Sequence, residues 1–396
     1  MTVALTIILI LCVLGVLHTY VIYPFLTIRR ALPQVERDWN EPIPTADWPP
    51  VYVLMAVHNE EAVLREKMES LLTQDYRGQL NFLIGSDNSS DATNDILREY
   101  QQRESRLSPT LFTSRQGKPA IINQLAHQAG PEGVYIITDA SVMLRPDTIT
   151  ELVQPMLRDE QLAVVDTTMV QTGGTATGIG AAETEYIDRE VQLKRAEGML
   201  YGTMIGPFGG CYALRAAAFR PVPDRFLVDD FYLCMSAYEL GYRGISSPTA
   251  IVEESVGQHI HEEFRRKVRI SSGNWQNLIR FRSLWWFPTK SKLAWSFFSH
   301  KVLRWWTPFL LLIGALAWLG LALCTGNHWV WLSFTVLSGL VLTGALADVL
   351  LSDAGIHVSA LRKLRYFLAM NVALLVGFYR YLTGISTNVW QPSNRH

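Results

Sequence analysis

An apolar run near its beginning constrains this chain more than any other feature. Residues 3–26 contain no Asp, Glu, Lys or Arg, and the run exceeds the roughly 20 residues that a helix needs to cross a bilayer. Arg29 and Arg30 follow it, and basic residues favour the cytoplasmic side of a spanning helix. We therefore predict a transmembrane helix over residues 1–28, with its C-terminal end in the cytoplasm. The alternative, a cleaved signal peptide, would carry its basic residues before a shorter apolar run.

Further apolar segments lie near the end of the chain. Residues 305–324 and 329–351 predict a helical hairpin whose two ends, flanked by basic residues, are cytoplasmic. Residues 366–382 are a third candidate, but Asn371 would be costly in hydrocarbon, which favours an interfacial or re-entrant helix over a full crossing. Such a helix would leave the tail with Trp390 and Arg395 in the cytoplasm. We predict interfacial and transmembrane helices within residues 284–396.

The region between these segments has the composition of a soluble domain. Charged residues make up 18% of the whole chain, below the roughly 25% of ordinary globular proteins, as expected if part of it lies in lipid. A net charge of -1 provides no basic field for nucleic acid. The four cysteines form no CxxC pair and suggest neither a zinc site nor a disulfide framework. A Pro-rich stretch predicts a linker over residues 29–49, followed by a cytoplasmic domain over residues 50–283.

Short apolar runs in this domain alternate with helix-like segments. Residues 51–57, 81–85 and 134–137 are such runs, and this order predicts βαβ units and a mainly parallel α/β sheet. Ligands bind beyond the carboxyl ends of parallel strands. Polar residues follow all three runs, so we expect them to converge on one crevice. They are His58-Asn59-Glu60, Asp87-Asn88-Ser89-Ser90-Asp91 and Asp139-Ala140-Ser141.

Asp139 directly follows a hydrophobic strand, which raises the question of what its carboxylate does. It could bind a nucleotide sugar through hydroxyl groups, or hold a divalent cation against a diphosphate. A helix-capping role explains any one of the three polar sites alone, but it explains the three together poorly.

The ordered motifs resemble those of the family 2 glycosyltransferases, which are related to cellulose, hyaluronan and poly-N-acetylglucosamine synthases. The resemblance covers roughly residues 50–281 and implies an inverting enzyme with the Rossmann-like GT-A fold. The motifs that carry it are His58-Asn59-Glu60, Ser86-Asp87-Asn88-Ser89-Ser90-Asp91, Gly117-Lys118-Pro119, Thr138-Asp139-Ala140-Ser141 and Val228-Asp229-Asp230.

The same resemblance implies a binding site for the nucleotide sugar. Asp87 matches the aspartate that contacts the base or ribose, and Lys118 matches a basic residue near the diphosphate. Arg269 is expected to neutralise the leaving diphosphate, although Arg266 and Ile270 replace two residues of the QxxRW pattern of processive relatives. The full predicted set for the nucleotide sugar is Asn59, Glu60, Asp87, Lys118, Asp139, Arg266 and Arg269.

A divalent cation, Mg²⁺ or Mn²⁺, is also implied. Asp139 matches the first aspartate of the family's DxD metal motif, while Ser141 stands at the third position, so a hydroxyl replaces one metal ligand. The predicted metal site is therefore Asp139 and Ser141. A DxS pattern also resembles that of ceramide glucosyltransferases, which introduces a lipid acceptor as an alternative.

Asp230 matches the catalytic base of the family, and Asp229 is predicted to assist it. Direct displacement at the anomeric carbon needs a group that takes the proton of the acceptor hydroxyl. Two acids that begin a helix are also favoured by its dipole, and the two roles are compatible. The acceptor is expected to contact Phe208, Gly209 and Gly210 of a glycine-rich loop, and Trp275.

These patterns together predict a hexosyltransferase. The donor would be a nucleotide diphosphate sugar, with a UDP-sugar favoured. The enzyme would transfer the sugar to a growing cell-surface or extracellular polysaccharide by single displacement, with Asp230 as the base. The alternatives are one-step glycosylation of a membrane lipid and a non-catalytic membrane protein that binds nucleotide sugars. The expected partners are the nucleotide sugar, a glycan or lipid acceptor and membrane lipids, without nucleic acid. The expected location is the plasma membrane, in a bacterium the inner membrane, with the catalytic domain in the cytoplasm.

Overall fold

A computed structural model describes residues 1–32, 48–172, 179–255, 260–354, 356, 358–385 and 387. The chain divides into two compact units. The first comprises Met1–Thr27, Thr175–Asp188 and Gln258–Thr383, and the second comprises Ile28–Gly174, Arg189–Gly257 and Gly384–His396. Most of the predicted linker, and the tail residues Trp390 and Arg395, lie outside the described residues.

Helices occupy both units. They are α1 (Thr2–Leu17), α2 (Tyr23–Ala31), α3 (Glu61–Leu72), α4 (Thr93–Arg103), α5 (Lys118–Ala129), α6 (Thr148–Arg158), α7 (Ile179–Tyr201), α8 (Asp229–Glu239), α9 (Ile260–Arg280), α10 (Arg282–Trp285), α11 (Lys292–Phe297), α12 (Leu303–Thr325), α13 (His328–Asp353) and α14 (Ser359–Thr383). Short π-helical turns, His18–Ile22 and Phe298–Val302, continue α1 into α2 and α11 into α12.

The second unit is built on one sheet. Its strands are β1 (Val51–Val57), β2 (Leu80–Asp87), β3 (Leu107–Phe112), β4 (Val134–Thr138), β5 (Val142–Leu144), β6 (Leu162–Thr172), β7 (Cys211–Arg215) and β8 (Arg243–Ser255). They lie in the order β3-β2-β1-β4-β7-β6-β8-β5. Strands β3, β2, β1 and β4 are parallel, as are β6 and β8. The α/β prediction is confirmed.

The sheet is nevertheless mixed. Strand β7 runs antiparallel to both of its neighbours, β4 and β6, and β5 runs antiparallel to β8. The expectation of a mainly parallel sheet is therefore confirmed for β3, β2, β1, β4, β6 and β8, which all run in one direction, whereas β7 and β5 run against them. The physical reason is that β7 enters the sheet from the glycine-rich loop at the end where β4 finishes, so that Thr138 pairs with Cys211.

Burial explains why the first strands read as continuous apolar runs. Val51, Val53, Met55 and Val57 of β1 are completely buried, as expected for a parallel strand covered on both faces. Helix α3 packs part of this core with the side chains of Leu64, Met68 and Leu71, which repeat at helical spacing. The carboxyl ends of β1, β2 and β4 are thereby held at one edge of the sheet.

The first unit is helical and largely apolar. Among the residues that the structure describes, four helical segments are long and apolar enough to cross a membrane: Thr2–Ala31, Lys292–Thr325, His328–Ser352 and Ser359–Thr383. The apolar runs singled out in the sequence lie within them. Close packing of α1 on α12 uses small residues, since a β-carbon on Gly314 would lie 3.3 Å from the β-carbon of Cys12.

Candidate active site

The carboxylate of Asp87 organises the loop before α5. Asp87 is fully buried at the end of β2 and accepts hydrogen bonds from the Gln116 backbone N–H at 2.6 Å and from the Gly117 backbone N–H at 3.0 Å. Arg115 Nε lies 3.1 Å from the same carboxylate. Because these contacts fix residues 115–117, Asp87 also fixes where Lys118 begins its helix.

His58 joins this cluster from the end of β1. Its Nδ1 lies 2.9 Å from the Asp87 carbonyl oxygen, and its Nε2 lies 2.6 Å from Arg115 Nη1. Burial and the neighbouring Arg115 charge lower the pKa of His58, so the imidazole is neutral at pH 7. The sequence analysis included His58 only as one residue of the His58-Asn59-Glu60 motif and gave it no role of its own. It missed Arg115, although this residue lies two positions before the predicted Gly117-Lys118 pair.

The predicted residues Asn59 and Glu60 connect the same two strand ends. Asn59 adopts a left-handed backbone conformation (φ 53°), which asparagine tolerates, and its Oδ1 accepts a hydrogen bond from the Ser90 N–H at 2.8 Å. The backbone N–H of Glu60 donates to Thr93 Oγ1 at 2.8 Å. These bonds tie the loop after β1 to the loop after β2.

Lys118 and Asp139 form an ion pair between the first turn of α5 and the end of β4. Lys118 Nζ lies 2.6 Å from Asp139 Oδ1, and 41% of the Asp139 side chain is exposed. Burial disfavours the ammonium, but the carboxylates of Asp139, Asp229 and Asp230 outweigh it and raise the pKa of Lys118. The resemblance implied that Lys118 and Asp139 both lie near the diphosphate, and the structure places their side chains in contact.

The acidic pair lies at the start of α8. Asp229 is buried and its Oδ2 has no hydrogen-bond partner among the described residues, while the half-buried Asp230 accepts from the Phe231 N–H at 2.7 Å. Burial and the adjacent Asp229 charge raise the pKa of Asp230 to about 6. A carboxylate with that pKa is ionised at neutral pH and still basic enough to accept a proton.

The glycine-rich loop lies directly against this pair. Gly206 and Gly209 have positive φ, at 78° and 83°. A β-carbon on Gly209 would collide with Asp230 Oδ2, so the loop backbone and the carboxylate are in immediate contact. The Gly210 carbonyl accepts from the Asp139 N–H at 2.9 Å, which links the loop to the predicted metal site.

A buried charge cluster supports this loop from beneath. Lys194 Nζ lies 3.3 Å from Asp166 Oδ2, and the ammonium lies 3.3 Å from the centre of the Phe208 ring. The Phe208 N–H donates to both Asp166 carboxylate oxygens at 3.3 Å, and Glu197 Oε2 accepts from the Ile205 N–H at 3.0 Å. Sequence reasoning missed this cluster, because isolated charges normally indicate solvated faces.

Ser141 lies in the turn between β4 and β5, two positions beyond Asp139. In the described part of the chain, no group of three or more His, Cys, Asp or Glu side chains is arranged to hold a metal ion. Any cation at Asp139 and Ser141 would therefore take further ligands from a diphosphate and water, as Mg²⁺ commonly does.

The remaining predicted site residues lie in the first unit, on α9. Arg266 and Arg269 are half-buried there. Trp275 is only 4% exposed, and its ring packs against Phe378, with a centroid distance of 4.7 Å, and against Trp306 and Phe309. Its aromatic neighbours give Trp275 a packing role, and its role toward an acceptor stays a prediction.

A sequence comparison identifies the domain. Residues 52–221 match the family described as glycosyl transferase family 2. This chain contains a family 2 glycosyltransferase domain. The chain is 25% identical over 271 residues to a Bacillus subtilis (strain 168) protein named "Probable glycosyltransferase YdaM", a match covering 65% of this chain and 61% of that protein. These results confirm the predicted family and the predicted transferase class.

Two further relatives carry a more specific name. The chain is 24% identical to proteins named N-acetylglucosaminyltransferase from Rhizobium leguminosarum bv. viciae and Bradyrhizobium diazoefficiens. The first match covers 57% of this chain and 55% of the relative, and the second covers 86% and 71%. The chain thus spans less than two thirds of the Bacillus and Rhizobium relatives.

A solved structure confirms the fold. The mannosyltransferase PcManGT from Pyrobaculum calidifontis, solved in complex with GDP-Man and Mn²⁺, superimposes with a TM-score of 0.69. The match covers 96% of this chain and 99% of PcManGT, at 20% sequence identity. This likeness confirms the GT-A prediction for the fold.

Proposed function

We propose that this glycosyltransferase moves a sugar from a UDP-sugar to a growing glycan at the membrane by single displacement, with inversion at the anomeric carbon. The observation that carries the proposal is Asp230, a half-buried carboxylate in contact with the glycine-rich loop, whose pKa is raised to about 6 by burial and by Asp229. Such a group can take the proton of an acceptor hydroxyl as that oxygen attacks the anomeric carbon.

The donor would lie across the loops at the ends of β1, β2 and β4. Lys118 would contact the diphosphate, with Asp87 fixing the loop from which it projects. Asp139 lies 2.6 Å from Lys118 Nζ, so an incoming diphosphate would meet one cation and one carboxylate at the same place. We assign Arg266 and Arg269 to the neutralisation of the leaving group, on the family pattern alone.

The residues fit a divalent cation, Mg²⁺ or Mn²⁺. The Asp139 carboxylate is partly exposed, and the Ser141 hydroxyl follows it in the same turn, which gives an oxygen donor set suited to a hard cation. When bound there, the cation would offset the negative charge that develops on the leaving diphosphate. The names of two relatives make N-acetylglucosamine the first sugar to test.

The acceptor is proposed to approach Asp230 along Phe208, Gly209 and Gly210. A polysaccharide is the favoured product, because the motif set resembles that of the polymer synthases. The second candidate is a membrane lipid, which is supported by Ser141 at the third position of the metal motif and by the four apolar helices. We place the catalytic domain in the cytoplasm and the chain in the plasma membrane, since Arg29 and Arg30 follow the first apolar helix.

The test is a screen of purified full-length protein in lipid against UDP- and GDP-sugars. UDP release from one donor, together with a β-linked product from an α-linked donor, would support the proposal. The chain length of the product distinguishes a polymer from a single glycosylated lipid. Protein that binds a nucleotide sugar and never releases a nucleotide with any acceptor would instead identify a binding protein.

A further inference from the structure

Lys67 occupies a position where the pattern of its helix requires an apolar residue. The buried face of α3 consists of Leu64, Lys67, Met68 and Leu71, and Lys67 is completely buried. An ammonium in such a place is strongly destabilising, because it loses its hydration, unless strong acceptors replace water. The hydrogen-bond acceptors that replace water around Lys67 therefore show which segment of the chain this residue fixes in place.

Those contacts are two oxygens of the segment that carries the predicted metal ligands. Lys67 Nζ donates to Thr138 Oγ1 at 2.9 Å and to the carbonyl oxygen of Val142. The two acceptors stand immediately before Asp139 and immediately after Ser141. The buried ammonium is thus hydrogen-bonded to the residues on either side of the three-residue segment 139–141.

Further hydrogen bonds connect this segment to the glycine-rich loop. Thr138 Oγ1 donates to the Gly210 carbonyl at 3.0 Å, and the Asp139 backbone N–H donates to the same carbonyl at 2.9 Å. A continuous chain of hydrogen bonds therefore runs from Lys67 through Thr138 to Gly210. It connects the predicted donor side of the site with the predicted acceptor side.

The charge of Lys67 is matched by no salt bridge. Among the described residues, no carboxylate lies within ion-pair distance of its ammonium, and its hydrogen-bond acceptors are neutral oxygens. Burial lowers the pKa of Lys67 to about 8, and the nearby Cys211 and Asp139 side chains oppose this shift. At neutral pH, Lys67 is therefore positively charged in most molecules. This charge lies beneath the segment to which an anionic diphosphate would bind.

We propose that Lys67 is a positioning residue for nucleotide binding, which fixes the Asp139 to Ser141 segment and ties it to the glycine-rich loop. This inference rests on the proposed function, because it assumes that the segment binds a nucleotide diphosphate. It assigns Lys67 no contact with the substrate.

The test is calorimetric titration of the full chain in lipid with UDP and with GDP, each in the presence of Mn²⁺. Lys67→Met removes the ammonium and keeps much of the side-chain volume, and Thr138→Val removes the first hydroxyl that it holds. The matched control is Glu66→Gln, an exposed neighbour on the same helix. Thermal unfolding of each variant separates binding from stability.

We expect Lys67→Met to raise the nucleotide dissociation constant about tenfold or more, as for the loss of hydrogen bonds to a charged group. Thr138→Val should raise it severalfold, and the double variant should bind about as weakly as Lys67→Met, since the two groups act in series. Glu66→Gln should bind like the wild type.

Wild-type affinity in folded Lys67→Met, even with a lowered unfolding temperature, would overturn the inference and leave the proposed function standing. If Lys67→Met does not fold, Thr138→Val decides, and an unchanged dissociation constant in that variant would overturn the inference. A wild-type protein that binds neither nucleotide would overturn the proposed function and the Lys67 assignment with it.

Discussion

The Asp230 carboxylate and the Gly209 backbone are in such close contact that a single added methyl group would collide with Asp230 Oδ2. The glycine-rich loop therefore forms one wall beside the proposed base. Since Asp139 is hydrogen-bonded to the same loop through Gly210, the proposed base and the proposed metal ligand are connected by a few residues of backbone.

The contact predicts the effect of Gly209→Ala. The variant should lose most of its transferase activity, about a hundredfold, because either Asp230 or the loop must move. The matched control is Gly130→Ala, since Gly130 has nearly the same φ of 84° but no atom within 4 Å of an added β-carbon. Both substitutions place an alanine at a positive φ that favours glycine, which costs on the order of 1–3 kcal/mol. Equal activity losses in the two would contradict a specific role of the Gly209 contact.

The Asp139 site predicts a dependence on divalent cations. Asp139→Ala should weaken UDP binding and slow transfer, and a chelator should do the same to the wild type, because both remove the cation that offsets the diphosphate charge. Addition of Mn²⁺ should restore the chelated wild type but not the variant. A chelator-insensitive enzyme would mean that Lys118 and the arginines suffice without a metal.

The raised pKa of Asp230 predicts an acidic limb in the pH profile. A base must be deprotonated to act, so kcat/KM should fall as the pH drops through about 6. Asp229→Asn removes a neighbouring negative charge that raises this pKa, so the limb should move to lower pH in that variant. Rates measured between pH 4 and 8, roughly the range in which the group titrates, would show the shift, and an unmoved limb would assign it to another group.

The Lys194–Asp166 pair predicts a large effect on stability. Lys194→Met leaves a buried carboxylate without its cation, since the two side chains are 3% and 0% exposed, and should lower the free energy of unfolding by about 3 kcal/mol or more. Arg98→Met breaks the exposed pair with Asp95 and should cost about 1 kcal/mol or less. Thermal unfolding of both variants provides the comparison, and similar losses would show that the Lys194 pair is not structurally important.

The sequence predicted the elements whose patterns are local. The runs that form β1, β2 and β4 are predominantly apolar because both faces of these strands are covered, and the apolar helices are recognisable by their length. The strand-end rule also predicted that the loops after β1 and β2 converge, and the hydrogen bond between Asn59 and Ser90 joins them. Each of these predictions depends on residues near one another in the chain or on a general property of parallel sheets.

Features that depend on distant pairing could not be predicted in this way. The antiparallel course of β7 is set by where the glycine-rich loop returns to the sheet, and no period in the sequence encodes it. In the sequence, Lys67 is indistinguishable from any other polar residue on a helix. Only the structure shows that it is buried and hydrogen-bonded on either side of the Asp139 segment. Lys194 and Asp166 are 28 positions apart and become a pair only in the folded unit.

The most direct test of the account is the kinetics of Asp230→Asn. The amide keeps the shape of the carboxylate but cannot take a proton at neutral pH, so transfer should slow by about a hundredfold or more while UDP binding stays close to that of the wild type. Single-turnover transfer and UDP titration should be measured on the same preparation. Near-normal transfer by folded Asp230→Asn would contradict the assignment of Asp230 as the base.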